Sequence, residues 1–214
     1  MATMESYTLT DPAHYVWWFP GSPLKVHLDL HVVERLQERL QGAREGVEEQ
    51  GLLFGRAVEG TTEILDFLPA SGGNLPDLIA ALPKERSKLL LVGYYRSQPE
   101  ETLRLNENDL SLAEELFRKP YHVFLVIQSG GFGPFNATFF FRGSDNKMGE
   151  VPFLEFPLDA SLLAADERRR IQRSQQAMLE EPVAVPVEDP SAFFVVFAVQ
   201  GIDFVFVVLF ALLD

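Results

Sequence analysis

The chain contains no cysteine, only four histidines (His14, His27, His31 and His122), and few basic residues: 18 Lys and Arg against 31 Asp and Glu, a formal charge of −13 at pH 7. The absence of cysteine excludes disulfides, zinc fingers, iron–sulfur clusters and thiol nucleophiles. Four histidines leave few candidates for His-based metal or triad chemistry. The shortage of basic charge argues against a nucleic-acid partner, because phosphate binding needs a basic face. The opening residues, Met1 to Ala13, are polar and acidic and do not read as a signal peptide. What is present is globular in character: 214 residues, 47% hydrophobic and 23% charged. That is enough for one ordinary domain and a tail.

Composition divides the chain into segments. Residues 1–23 form an aromatic lead-in, Tyr15-Val16-Trp17-Trp18-Phe19, closed by Pro20-Gly21-Ser22-Pro23. Residues 24–157 alternate short apolar runs with amphipathic stretches. A charged helix is expected over 158–181, an acidic Pro linker over 182–191 and a hydrophobic segment over 192–213.

The middle reads as α/β. Leu24 to Leu28 alternates as a strand does, and Val32, Val33, Leu36 and Leu40 fall at helical spacing. Gly51–Gly55 and Thr62–Phe67 read as strands joined at Glu59-Gly60. Asn74–Leu82 predicts a short helix. Leu89–Tyr95 is a continuous apolar run, as a central strand requires. Asn106–Phe117 is the clearest helix, capped by Asn106 or Asn108. Tyr121–Ser129 and Ala137–Arg142 predict strands around Gly130-Gly131-Phe132-Gly133. That glycine run reads as a hairpin turn, since it lacks the lysine and the following helix of a phosphate loop. Ala160–Leu179 predicts a helix carrying Arg168-Arg169-Arg170, a solvated face or, near a bilayer, a contact for anionic lipid.

The most informative stretch is Gly93-Tyr94-Tyr95-Arg96-Ser97-Gln98-Pro99, followed by Asn106-Glu107-Asn108-Asp109 at a helix start. Its frame resembles the JAMM/MPN family of zinc isopeptidases over roughly residues 24 to 142. In that family a strand ends in Gly-aromatic-aromatic-His-Ser-His-Pro, with a Ser at the position of Asn106 and an Asp at that of Asp109. A Glu stands at the position of Glu48, ahead of a Gly-x-x-x-Gly strand matched by Gly51–Gly55. The resemblance implies an MPN-like, cytidine-deaminase-like central mixed sheet flanked by helices.

The residues at the site positions set the functional expectation. Arg96 and Gln98 replace the two ligand histidines, and Asn106 replaces the Ser. Only Asp109, the third ligand position, and Glu48, the general-base position, match. Catalytic zinc needs three N, O or S ligands and an open site for water. A guanidinium is always protonated and repels a dication. Without the metal nothing lowers the pKa of water towards neutrality. The expectation is a non-catalytic member with no metal and no cofactor, in which Arg96 pairs with Asp109 or, second, with Glu48. Its function would be that of a scaffold or protein-interaction module. The resemblance implies another MPN-type domain, or a second copy, as partner. Two alternatives stand beside it: a metal-dependent isopeptidase or peptidase with an altered site using Glu48 and Asp109, and an anion-binding module using Arg96.

Other features read more plainly. His27 and His31 are spaced for a helical metal pair, but the alternation through Leu30 places them across a strand boundary. Trp17-Trp18 covers a core edge or, alternatively, forms a binding platform or a membrane-interface anchor. Residues 192–213 are apolar at 19 of 22 positions, with Gln200, Gly201 and Asp203 the exceptions. As a helix the segment would reach roughly 33 Å, enough to cross a bilayer. Its Phe and Val content also suits a buried β-hairpin. The anchor is the favoured reading. With Arg168–Arg173 on the N-terminal side, it would leave the globular part cytoplasmic, at the cytoplasmic face of a membrane.

Overall fold

A computed structural model describes residues 12–42, 48–70, 75–82, 88–99, 102–129, 134–143, 145–149 and 154–179. Residues 130–133 and the linker and apolar segment after Leu179 lie outside the described residues, and so does Asn74. The chain divides into two compact units, Met1–Arg168 and Arg169–Asp214. The described part of the second is the C-terminal half of one helix.

The elements run β1 His14–Trp17, β2 Lys25–Asp29, α1 Leu30–Gly42, β3 Gln50–Val58, β4 Thr61–Pro69, α2 Leu75–Ala80, β5 Leu90–Gln98, α3 Glu107–Glu115, β6 Val123–Gln128, β7 Asn136–Phe141, β8 Glu155–Pro157 and α4 Ala160–Leu179. The eight strands form one mixed sheet in the order β1-β2-β4-β3-β5-β6-β7-β8. β2 and β4 are parallel, as are β5 and β6, which α3 connects. The other neighbours are antiparallel.

The sheet curls until its two ends lean together. Tyr15 on β1 meets Phe156 on β8 with ring centroids 5.4 Å apart. The Trp17 indole N–H donates to the Leu154 carbonyl at 3.0 Å. The aromatic lead-in is therefore the edge strand β1, with Tyr15 and Trp17 buried in the core while Trp18 is exposed under the Lys25 ammonium. On the outer edge of β1 the Val16 N–H donates to the Glu167 carboxylate of α4, which covers part of an otherwise open ladder.

Two apolar layers flank the sheet. One gathers Val32, Val33, Leu36 and Leu40 of α1, Ala160 and Leu163 of α4 and the inward side chains of β1 and β2. The other gathers Leu75 of α2, Ala113 and Phe117 at α3, and Tyr94, Phe124 and Phe140 from the sheet. α1 starts where the Asp29 carboxylate accepts from the His31 N–H at 2.8 Å. α4 starts in the same way, Asp159 accepting from the backbone of Ser161 and Leu162 at 3.0 Å. The β3–β4 hairpin turns at Glu59 and Gly60, both with positive φ, 34° and 75°. Two-residue hairpins take this backbone because its twist matches that of the strands.

Arg142, buried at the end of β7, clamps the far end of α3. Its guanidinium donates to the carbonyls of Ala113, Phe117 and Asn146, and pairs with Glu114 at 2.9 Å. A helix leaves its last carbonyls without internal partners. Here a cation from the sheet supplies the donors and opposes the negative end of the helix dipole.

Candidate functional site

The site forms where β5 ends and α3 begins. Strand alternation sends Tyr94, Arg96 and Gln98 to the α3 side, and Tyr95 and Ser97 to the α1 side. On the far side of this junction, Asn106 caps α3 in a reciprocal capping box. Its side chain accepts from the Asp109 N–H at 2.9 Å, and the Asp109 carboxylate accepts from the Asn106 N–H at 2.8 Å. Asp109 is thus held rigidly, pointing back towards the strand.

Arg96 meets it there. Its Nε donates to both Asp109 oxygens, at 3.0 and 2.8 Å, and Nη2 lies 2.8 Å from Oδ2. Nη2 also donates to the Arg104 carbonyl at 2.8 Å. The side chains are 5% and 1% exposed, so this pair is inside the protein. Tyr94 closes it from the core side. Burial first, then the Asp109 carboxylate and a hydrogen bond to it, push the Tyr94 hydroxyl far above the usual phenol range and keep it neutral. Gln98, also buried, donates from its amide to the Thr102 carbonyl at 2.7 Å and so ties down the turn after β5.

The glutamates part company. Glu49 is anchored to β5 through its backbone: its N–H donates to the Ser97 hydroxyl at 2.8 Å, and its carbonyl accepts from the Ser97 N–H at 2.6 Å. Its carboxylate turns to Arg39 of α1 at 2.8 Å. Glu48, one residue earlier, is exposed and joins none of the ion pairs among the described residues. Of the sequence candidates, then, Arg96, Asp109 and Asn106 come together, Gln98 stands beside them bonded elsewhere, and Glu48 stays outside. Arg96 takes Asp109, not Glu48, as its partner.

The donor set does not suit zinc. Both Asp109 oxygens are engaged by Arg96 and one also by the Asn106 amide, and the neighbouring cation would have to be displaced. Among the described residues no three His, Asp or Glu side chains gather in a way that could hold a metal ion. A cleft of about 260 Å³ opens nearby between Gln50, Leu75, Pro76, Asn108, Ser111 and Leu112; Arg96 and Asp109 do not line it. What the arrangement does chemically is tie a strand to a helix N-terminus.

Three features had no place among the candidates. Tyr94 was visible only as an aromatic of the strand motif. Gly93 is required by packing: a Cβ there would fall deep inside van der Waals contact with the Val123 carbonyl of β6. His14 and His27 stack across β1 and β2 with centroids 4.8 Å apart. Burial, then His14, lower the pKa of His27. His31 lies in α1 and pairs with Glu34 instead, so His27 and His31 form no joint site.

No protein-family model matches the chain, and no curated protein matches it. Solved structures do. The solution structure of a protein from Salinibacter ruber is 16% identical with a TM-score of 0.41, over 61% of this chain and 96% of that one. The solution structure of a Desulfitobacterium hafniense protein is 20% identical with a TM-score of 0.40, over 56% of this chain and 88% of that one.

Proposed function

We propose that the chain is a non-catalytic scaffold or protein-interaction module of MPN-like descent, its metal site replaced by an Arg–carboxylate cluster. The observation that carries this reading is the Arg96–Asp109 pair, buried, with Nε and Nη2 of the guanidinium bonded within the protein. In the resembling family that face of the strand carries two histidines and the metal that activates water. Here a permanent cation stands in the ligand position, and the remaining ligand carboxylate is spent on it. Glu48, at the general-base position, is exposed and unpaired with Arg96, so no acid–base pair is assembled around a water. The burial of Arg96 also speaks against its serving as an anion receptor.

Such a module acts by binding protein, with another MPN-type domain or a second copy as the expected partner. We place it in the cytoplasm, held at a membrane face through residues 192–213. No helix among the described residues is long and apolar enough to cross a membrane; residues 192–213 lie outside them. Two measurements on the full chain test the reading together. Metal analysis after equilibration with zinc should find none retained, and affinity capture with the membrane fraction kept should recover a protein partner. Stoichiometric zinc removed by a chelator would overturn it.

A further inference from the structure

At the end of the sheet opposite Arg96, a groove of about 490 Å³ runs between the start of β5 and the turn from α3 to β6. Leu91, Leu116 and Tyr121 are half-buried along it, and His122 is buried beneath. Leu90 stands at its wall, 51% exposed, one of the few large apolar side chains left in water. Arg118 and Lys119 are exposed on the rim, and Glu115 is exposed towards α3.

The groove also carries a pair of cations. In a chain with 31 acidic and 18 basic residues, a cation has many possible internal partners. Arg35, Arg39, Arg56, Arg96 and Arg142 each meet a carboxylate. Arg118 and Lys119 meet none among the described residues, as is also true of Lys25, Lys88, Arg104 and Lys147, but these two are adjacent and share one groove. The Arg118 guanidinium is steadied by donating to the Glu114 carbonyl, and the Lys119 N–H donates to His122 Nδ1. The Arg118 guanidinium is thus held in place, with the Lys119 side chain exposed beside it. Lys88, two residues before Leu90, is exposed as well.

The backbone adds a direction. The β5–β6 ladder begins at Gly93 and Val123, so Leu90, Leu91 and Val92 pair with no β6 residue. Main chain at Leu90–Val92 therefore borders the groove, with the Leu91 carbonyl already bonded by the His122 ring. A strand laid along it would alternate its side chains at a period of two, one set to the leucines and the other to the cations.

We propose that this groove takes an extended segment of a partner protein in which aliphatic side chains alternate with carboxylates. The aliphatic groups cover Leu90, Leu91 and Leu116; the carboxylates lie towards Arg118 and Lys119 and away from Glu115. Such pairs chiefly set partner choice and on-rate, as fits a docking surface. The proposal does not rest on the Arg96 cluster, and zinc binding there would leave it standing.

The test uses the full chain and a fluorescein-labelled ten-residue probe alternating Val or Leu with Glu or Asp, read by anisotropy. The same probe with Lys for the acids, and a short oligothymidylate, serve as controls. The acidic probe should bind with an affinity that falls with salt. Arg118→Glu with Lys119→Glu should weaken it roughly tenfold or more, with the fold retained by circular dichroism. Leu90→Ser should weaken it by a factor that does not change with salt. Absence of binding by the acidic probe, equal binding by either control, or indifference to the Arg118→Glu/Lys119→Glu pair would overturn the proposal.

Discussion

Arg96→Met is the most direct probe of the site. Methionine fills much of the aliphatic volume but removes the charge and every donor. Asp109, with a side chain 1% exposed, would keep only the Asn106 amide and the neutral Tyr94 hydroxyl. Breaking a buried ion pair from one side costs about 3–5 kcal/mol, since the remaining charge is left uncompensated. The Arg104 carbonyl loses its donor too, at about 1 kcal/mol more. For a domain of this size each kcal/mol lowers the melting temperature by about 2–4 °C, so the fall should be roughly 8–24 °C. Adding Asp109→Leu removes the stranded charge. The double variant forfeits one half of the capping box, about 0.5–2 kcal/mol, but should lie well above the sum of the two singles, because residues in contact are not additive. Urea unfolding followed by the fluorescence of buried Trp17 measures all four corners of the cycle. An Arg96→Met loss below about 1 kcal/mol, or additivity within about 0.5 kcal/mol, would refute the view that this pair ties β5 to α3.

Other consequences follow from single residues. Burial holds the His122 ring below the usual histidine pKa, and Nδ1 accepts from the Lys119 N–H, so the folded state keeps the ring neutral. The unfolded chain takes the proton first. Stability from this residue is therefore full above the unfolded value of about 6.5 and lost progressively below it. The drop in urea midpoint between pH 7.5 and pH 5.5 should be smaller in His122→Asn than in the native chain; an equal drop would discount the buried neutral ring. Gly93→Ala forces β5 and β6 apart at the Val123 carbonyl, and should cost about 1–3 kcal/mol in the same assay; a neutral change would contradict the close approach. Arg142→Leu leaves the carbonyls of Ala113 and Phe117 without their donor. It should cost about 2–4 kcal/mol, and hydrogen exchange should show the last turn of α3 opening first.

Local signals explain what the sequence revealed. α1 and α3 are legible because each buries a stripe at helical spacing and begins at a side-chain cap. β5 is legible because it is buried on both faces. β1 was harder to place: its four residues alternate buried and open positions, but the neighbouring Trp18 and Phe19 blur the period, and Tyr15 and Trp17 are buried by distant parts of the chain, Phe156 of β8 for the one and Phe139 and Phe141 of β7 for the other. β8, only three residues long, offers no period at all. At the site, the expectation that Arg96 pairs with Asp109 rests on the family resemblance, which puts both at positions around one metal, and spacing by itself left Glu48 open as the partner. Glu48 could not be separated from Glu49. The choice is made by two backbone hydrogen bonds to Ser97, which carry no mark in composition. Arg142 shows the same limit, because its role depends on where α3 ends in space.

The physics of the pair also bears on how readily the site could change. Asp109 sits in the first turn of α3, where the helix dipole favours a negative charge. Its carboxylate is fixed there by the capping box whatever occupies the strand. A positive group on β5 is then needed for neutrality, and a guanidinium supplies both charge and donors. Arg96→His supplies less of both, since an imidazole has no permanent charge and in its neutral form a single N–H donor against the guanidinium's five. It would also leave Gln98, a poor metal ligand bonded to Thr102, in the second position. The single change is therefore expected to destabilise the fold by a few kcal/mol without recruiting zinc. Calorimetric titration with zinc and the urea midpoint read the two effects separately. Zinc bound stoichiometrically by the Arg96→His variant, with native stability regained, would mean that one residue alone blocks the metal and that the cluster is far less committed than its geometry implies.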